Sequence, residues 1–358
     1  MRRDVRSRYV LERLAQAVLV LWAAYTVSFL LLSALPGDAV HNRIQNPEAQ
    51  LTPAQAQVLI EYYGLDRPLW AQYVSALTGL LRGDLGYSLT DGRAVTHLLG
   101  SALPSTLALT ALALLFGVVF AAVIGIVANY APWNWLRESA ASVPALFGSV
   151  PTFVVGILAL QLFSFGLHLI PASDDGSLRA LLAPAVTLGI LIAAPLAQIF
   201  TSSVRIAREQ PFAHVLTARG AGEAYVFRHG VLRNSSMPVL TLLGLACGEL
   251  IAGAVVTEAV FARPGIGALT VGAVSTQDLP VLQGVVLIAT LTYVTVNFVV
   301  DFAYPFIDPR VLVTGSKRRL TGRPLRRAAV GDGVDRDIAT PATTLRVPRH
   351  LPVEMSMP

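Results

Sequence analysis

Long apolar runs alternate with polar, charge-bearing segments along this chain, and the runs set the architecture. The first extends from about Leu14 to Leu35, and others cover about Ser105–Ala128, Ala145–Leu169, Leu181–Val204, Pro238–Val260 and Pro280–Ala303. Each approaches or exceeds the roughly 20 residues that a helix rising about 1.5 Å per residue needs to cross a hydrocarbon layer about 30 Å thick. The pattern predicts an all-α polytopic membrane protein with six transmembrane helices. Prolines punctuate it: Pro36-Gly37-Asp38 closes the first run, Pro144 and Pro151 break the uncharged stretch between Glu138 and Asp174, and Pro184 and Pro195 lie within the fourth span. A proline withholds its N–H and kinks the helix around it, so the third span is read as Ala145–Leu169 with a bent entry.

The segments between the runs divide the chain further. Residues 1–13 form a basic amino-terminal segment ahead of the first span at 14–35; that run is too long for a signal-peptide core and is read as a retained helix. Residues 36–102 carry mixed charge with helical patches around 53–63 and 69–81, where Leu69, Tyr73, Leu77 and Leu80 recur at helical spacing, and are read as an extracytoplasmic cap. A five-helix core spans 103–313 and includes a polar loop at 205–238. The tail at 314–358 is rich in arginine, proline and threonine without aromatics, a composition that predicts disorder.

Composition agrees with the pattern: 54% of residues are hydrophobic and 14% charged, with a mean hydropathy of +0.60. The net charge of +5 sits beside the apolar runs, which argues for topology signals and against nucleic-acid binding. Five arginines (Arg2, Arg3, Arg6, Arg8, Arg13) open the chain and five more (Arg205, Arg208, Arg219, Arg228, Arg233) occupy the 205–238 loop. By the positive-inside tendency both ends and that loop are cytoplasmic, although the 130–138 connection, placed on the same side, has only Arg137.

Several chemistries lack their residues. The only lysine, Lys317, follows Ser316 and not a glycine, so no nucleotide-binding phosphate loop is present and any ATP used is hydrolysed by another subunit. One cysteine, Cys247, and dispersed histidines offer no metal cluster. Among acids near the spans, Glu258 and Asp301 lie near predicted helix ends, where solvent reaches them. Glu249 alone falls at mid-membrane, either hydrogen-bonded to a neighbouring helix or as part of a solute or ion pathway.

The 205–238 loop contains a short amphipathic helix. Pro211 suits its first turn, Phe212, Val215 and Leu216 recur at i, i+3 and i+4 with Arg219 at i+7, and Gly220 or Gly222 closes it. That apolar face either docks in a groove of a partner or folds back on the ends of the fourth and fifth spans.

Ordered motifs carry a resemblance: LPGD at 35–38, YGLDRPLWAQY at 63–73, GDLGYSL at 83–89, LIPAS at 169–173, LRNSSMPVLTLLG at 232–244, VVTEAVFARPGIGAL at 255–269, DLPVLQG at 278–284 and DPRV at 308–311. Over about Tyr9–Val311 the chain resembles the permease subunit of ATP-binding-cassette importers of the dipeptide, oligopeptide and nickel group. The resemblance implies a bacterial inner-membrane subunit that pairs with a homologous second permease, two cytoplasmic ATPase subunits or domains and an extracytoplasmic substrate-binding protein. It implies no cofactor in this chain and ATP hydrolysis by its partners. It also implies that the loop helix, with Pro211, Phe212, Val215, Leu216, Arg219 and the signature glycine at Gly220, docks on the ATPase. The signature departs from the family pattern in places: Val215 and Leu216 replace threonine and alanine, Pro211-Phe212 replaces an acid and an aromatic, Arg219 stands for lysine, and Gly230 occupies a position where histidine is common, with His229 one place early. Peptides are the expected cargo, with nickel or another small solute as the alternative for the same machine; an ion-coupled carrier built on Glu249 is the rival of another class.

Overall fold

The computed structural model describes residues 2–33, 57, 61–62, 67–171 and 173–307. The sequence motifs at 35–38 and 308–311, most of the expected helical patch at 53–63, the side chain of Asp301 and the tail at 314–358 lie outside the described residues.

The regular structure among the described residues is helical, apart from one isolated bridge between Tyr87 and Ala94. In order the helices are α1 (Arg2–Ser33), α2 (Leu69–Leu81), α3 (Val95–Tyr130), α4 (Asn134–Ser149), α5 (Thr152–Ala159), α6 (Leu178–Arg208), α7 (Pro211–Ala218), α8 (Glu223–Val226), α9 (Leu232–Val260), α10 (Ile266–Ser275) and α11 (Leu279–Ile307). α5 continues as a π-helical turn over Leu160–Gly166, and α8 runs into α9 through a second one over Phe227–Val231. Among the described residues five stretches are long and apolar enough to cross a membrane: Arg13–Leu31, Val95–Tyr130, Leu178–Arg208, Glu223–Val260 and Leu279–Val299. The count reaches six when the bent pair Asn134–Ser149 and Thr152–Gly166 is taken as one broken span.

That pair corrects the third expected span. Ala145–Leu169 is not one helix: Ala145–Ser149 end α4, and the axis turns by 98° before Thr152. Pro151 is the cause, because its ring disfavours helical backbone in the preceding residue, and Val150 is extended at φ −101° and ψ 125°. The helical part beyond the break has 8 and then 7 residues, about 22 Å at about 1.5 Å per residue, short of a hydrocarbon layer about 30 Å thick. α1 covers the first expected run as far as Ser33, and the spans in α3, α6, α9 and α11 contain the expected runs but start earlier. α3 begins at Val95 and holds Pro104 inside, and α9 begins at Leu232 and holds Pro238 inside.

α6 is the central helix. Leu188, Ile192, Leu196 and Ala197 are fully buried in a cluster with Leu109 and Ala113 of α3 and Ala246, Leu250 and Ala254 of α9. Close approach of α3 to α6 depends on small residues. A Cβ on Gly117 would come within 2.5 Å of Ile192, and one on Gly125 within 2.4 Å of the Phe200 ring, which is how helices pack in lipid, where tails offer no hydrophobic drive to associate. Serines and threonines along the spans return their hydroxyls to carbonyls one turn back, as in Thr110 to Thr106 O (2.8 Å) and Thr290 to Val286 O (2.7 Å). Large apolar side chains such as Leu115, Val123 and Val299 face outward. α2, the part of the expected cap that is described, packs on α1: the Tyr73 hydroxyl bonds Thr26 Oγ1 at 2.7 Å and its ring meets Phe29 edge-on at 5.3 Å.

Candidate functional site

The connections between helices gather at two ends of the bundle. At one lie α7, α8, the turn after Tyr130 and the end of α6; at the other lie α10, the loop before α6, the segment before α3 and the start of α11. The short helix of the polar loop therefore has a defined place, and its residues can be assigned.

Pro211 sits in the first turn of α7, as its fixed φ favours. The helix ends in a Schellman motif. Ala221 N–H donates to Leu216 O (3.1 Å) and Gly220 N–H to Thr217 O (2.9 Å), with Gly220 at φ +85°, a left-handed conformation that costs side-chain-bearing residues energy. Of the two glycines expected to close the helix, Gly220 is the one that does. Arg219 is the residue before the turn and is exposed.

The apolar face of α7 divides. Ala213 is buried in a cluster with Phe200, Val204 and Ala207 of α6 and with Val226 and Val231, and Phe212 and Leu216 pack against it. These side chains fold back on the chain's own bundle. Val215, 50% exposed, instead faces outward beside Pro211, His214, Ala218 and Arg219. Periodicity alone had placed Phe212, Val215 and Leu216 on one face without saying what covers it.

Beside α7 the second π turn is braced by side chains of the LRNSS motif. Asn234 Nδ2 donates to Gly230 O (2.9 Å) and Ser235 Oγ to Val231 O (2.8 Å). The Phe227 ring meets Tyr130 edge-on at 5.3 Å, and the Arg208 guanidinium lies 4.4 Å from the Tyr130 ring centre while donating to the Asn129 carbonyl and approaching Glu223 at 3.6 Å. His229 stacks on Tyr225 with centroids 4.1 Å apart and is exposed.

At the opposite end the ties are polar and buried. Glu258 is fully buried, where the sequence placed it within reach of solvent. Thr106 Oγ1 donates to its Oε1 (2.6 Å), and the Gly267 and Ala268 N–H groups at the start of α10 donate to Oε2 (2.7 and 3.4 Å). Thr106 Oγ1 in turn accepts from Ile266 N–H at 2.8 Å. The carboxylate thus serves the open N–H groups of a helix start from another helix. Arg263, 6% exposed, pairs with Asp174 at 3.2 Å and donates to Ser105 Oγ at 3.3 Å. Hydrogen bonds from the Ser177 side chain and backbone hold the neighbouring Asp175 carboxyl below its ordinary pKa. Ser88 Oγ donates to the buried Asp278 at 2.5 Å. The VVTEAVFARPGIGAL and DLPVLQG motifs thus form the inner seam of this end. The signal in the sequence was an acid followed within ten residues by PGIG, but the partners Thr106 and Asp174 are far away in the chain.

Glu249 is exposed on α9, in a stripe with Thr241, Leu245, Ala252 and Val256, and none of the described residues makes a hydrogen bond or ion pair with it. Beside it a cleft of about 350 Å³ opens between α9, α10 and α11, lined by residues including Gly248, Ile251, Val255, Thr270 and Tyr293. Among the described residues no three His, Cys, Asp or Glu side chains converge as metal ligands.

The chain matches two family models: the N-terminal membrane component of binding-protein-dependent transport systems over residues 6–110, and the inner membrane component of such systems over residues 121–313. The glutathione transport system permease protein GsiC of Salmonella choleraesuis is 34% identical over 85% of this chain and 98% of its own length. A putative peptide permease protein of Brucella suis is 36% identical over 86% of this chain and 99% of its own. The crystal structure of an amino acid ABC transporter with histidines is similar at a TM-score of 0.46 and 22% identity, over 58% of this chain and 92% of that one. From the paired helices to the motifs of both bundle ends, the chain belongs to the family of multi-pass inner-membrane permease subunits of binding-protein-dependent ATP-binding-cassette importers, in the peptide and oligopeptide group.

Proposed function

We propose that this permease forms half of a peptide translocation path and receives the force of ATP hydrolysis through the exposed face of α7. The observation that carries the reading is the division of α7: Phe212, Ala213 and Leu216 hold it to the bundle, while Pro211, His214, Val215, Ala218 and Arg219 stand outward. An apolar residue flanked by a cation on a short exposed helix fits helix-in-groove docking, and the groove belongs to a cytoplasmic ATPase subunit. In this reading the α7 end, both termini and the 130–138 turn are cytoplasmic, the α10 end faces outward toward a substrate-binding protein, and the 36–102 segment caps it. The stacked, exposed Trp133 and Trp135 beside the α7 end suit a membrane interface.

A homologous second permease covers the exposed stripe of α9, so that Glu249 and the neighbouring cleft face the path between the two subunits. Peptide cargo is supported by the names of the relatives, one a glutathione and one a putative peptide permease. Nickel or another small solute is the alternative cargo for the same machine. The test is co-purification of the ATPase subunits with Val215→Asp and Arg219→Glu. Loss of the ATPases with an intact membrane-inserted permease supports the docking face; undiminished association removes it.

A further inference from the structure

We infer that Phe212 seated on Gly230 is the joint through which α7 moves α9, an inference that rests on the docking role proposed for α7. Gly230 is buried, and the space where its side chain would lie is filled by the Phe212 ring: a Cβ there would stand 2.5 Å from Cε2 and 3.0 Å from Cδ2 of that ring, and 3.6 Å from Leu216 Cδ1. A ring packed this closely against the backbone transmits a push directed along the contact, because close-packed atoms yield little to compression. The covalent route is softer. Between α7 and the π turn the chain passes through Gly220-Ala221-Gly222 and the four-residue α8, and Gly220 already occupies a left-handed conformation.

The notch also lies in a segment able to respond. Gly230 belongs to the five-residue π turn that opens the α9 span, and π turns within α-helices mark places where register changes locally. Asn234 holds the Gly230 carbonyl from within α9 itself, so a push on Gly230 is delivered to α9, the helix that carries Glu249 and one wall of the cleft. Gly230 and Phe212 are thus matched to each other: glycine at 230 provides the room that the aromatic ring at 212 occupies. They are positioning residues for the transport cycle and touch no substrate in this account.

The experiment uses the assembled transporter, with its ATPase subunits, in lipid nanodiscs. Spin labels at Val123→Cys on α3 and Ala259→Cys on α9, both at exposed positions, report the change in their separation between nucleotide-free and ATP-vanadate states. The ATPase content of each preparation is measured in parallel. Gly230→Ala is expected to keep the ATPases bound and to lose most of the nucleotide-dependent change, since overpacking at such contacts shifts equilibria by about an order of magnitude. Phe212→Leu combined with Gly230→Ala, which replaces the ring that the new methyl would meet with a smaller side chain, is expected to recover more than half of it. Phe212→Ala, which empties the notch, is expected to lose it as well and serves should Gly230→Ala not assemble. A full nucleotide-dependent change in Gly230→Ala or Phe212→Ala with ATPases bound overturns the joint, as does strict additivity of the paired substitutions. Loss of ATPase binding in Val215→Asp, with the joint variants behaving as wild type, would leave the docking face standing and the joint refuted.

Discussion

The two ends of this bundle are built from opposite materials. At the α10 end, buried charges and hydroxyls tie helices and loops together through directional bonds: Glu258 with Thr106 and the start of α10, Arg263 with Asp174 and Ser105, and Ser88 with Asp278. At the α7 end, the ring of Phe212, the glycine at 230 and the apolar residues of α6 and α7 make a seat held by packing, with the polar ties of Arg208, Asn234 and Ser235 beside it. A buried polar clasp tolerates little displacement, because a broken bond strands its partner away from water. An apolar seat keeps most of its contact area when one surface slides over the other. The difference assigns rigidity to the end proposed to face outward and adjustable transmission to the end proposed to meet the ATPases.

Substitutions at the clasp test this division most strongly. Arg263→Met leaves Asp174 without its cation in a nearly buried site, and it is expected to destabilise the purified permease complex by about 3–5 kcal/mol, read as a fall in its thermal unfolding midpoint. Glu258→Gln keeps one acceptor oxygen but cannot serve both the Thr106 hydroxyl and the Gly267 N–H, so it should cost about 1–3 kcal/mol in the same assay. If both variants melt like wild type, the α10 end is not clasped as described. At the seat, Gly220→Ala forces a side chain into a left-handed turn and should cost about 1–2 kcal/mol, enough to loosen α7 in hydrogen exchange without unfolding the bundle. Uniform protection of α7 in that variant would show that the Schellman turn does not govern its placement.

The sequence pattern made much of the seat and little of the clasp legible. Apolar runs of sufficient length marked the spans, Pro144 and Pro151 marked the stretch that breaks in the third without saying which of them breaks it, and Pro211 with Gly220 or Gly222 marked the two ends of α7, because each acts through its own backbone and its immediate neighbours. The inward turn of Phe212 and Leu216 was not decided by periodicity, which identifies an apolar face but not the surface that covers it. Gly230, fourteen or more residues away, stood out as a departure from the family pattern, but nothing in the sequence linked it to Phe212. Glu258 was harder still: its partners are a threonine on α3 and backbone N–H groups of a helix that begins eight residues later, so its position near a helix end suggested solvent where the fold supplies donors. Glu249, singled out as the mid-membrane acid, stands on an open face of α9, and its role depends on what lies across from it.

The smallest effect on stability falls at the position of greatest consequence. Val215 is half exposed on α7, so Val215→Asp should change the stability of the permease by no more than about 0.5 kcal/mol, as surface substitutions do. The decisive measurement is ATPase retention on the purified, correctly folded Val215→Asp permease beside wild type. Loss of the ATPase subunits with an unchanged unfolding midpoint is the result predicted for a docking face on α7, and retention of a full complement of ATPase would contradict it.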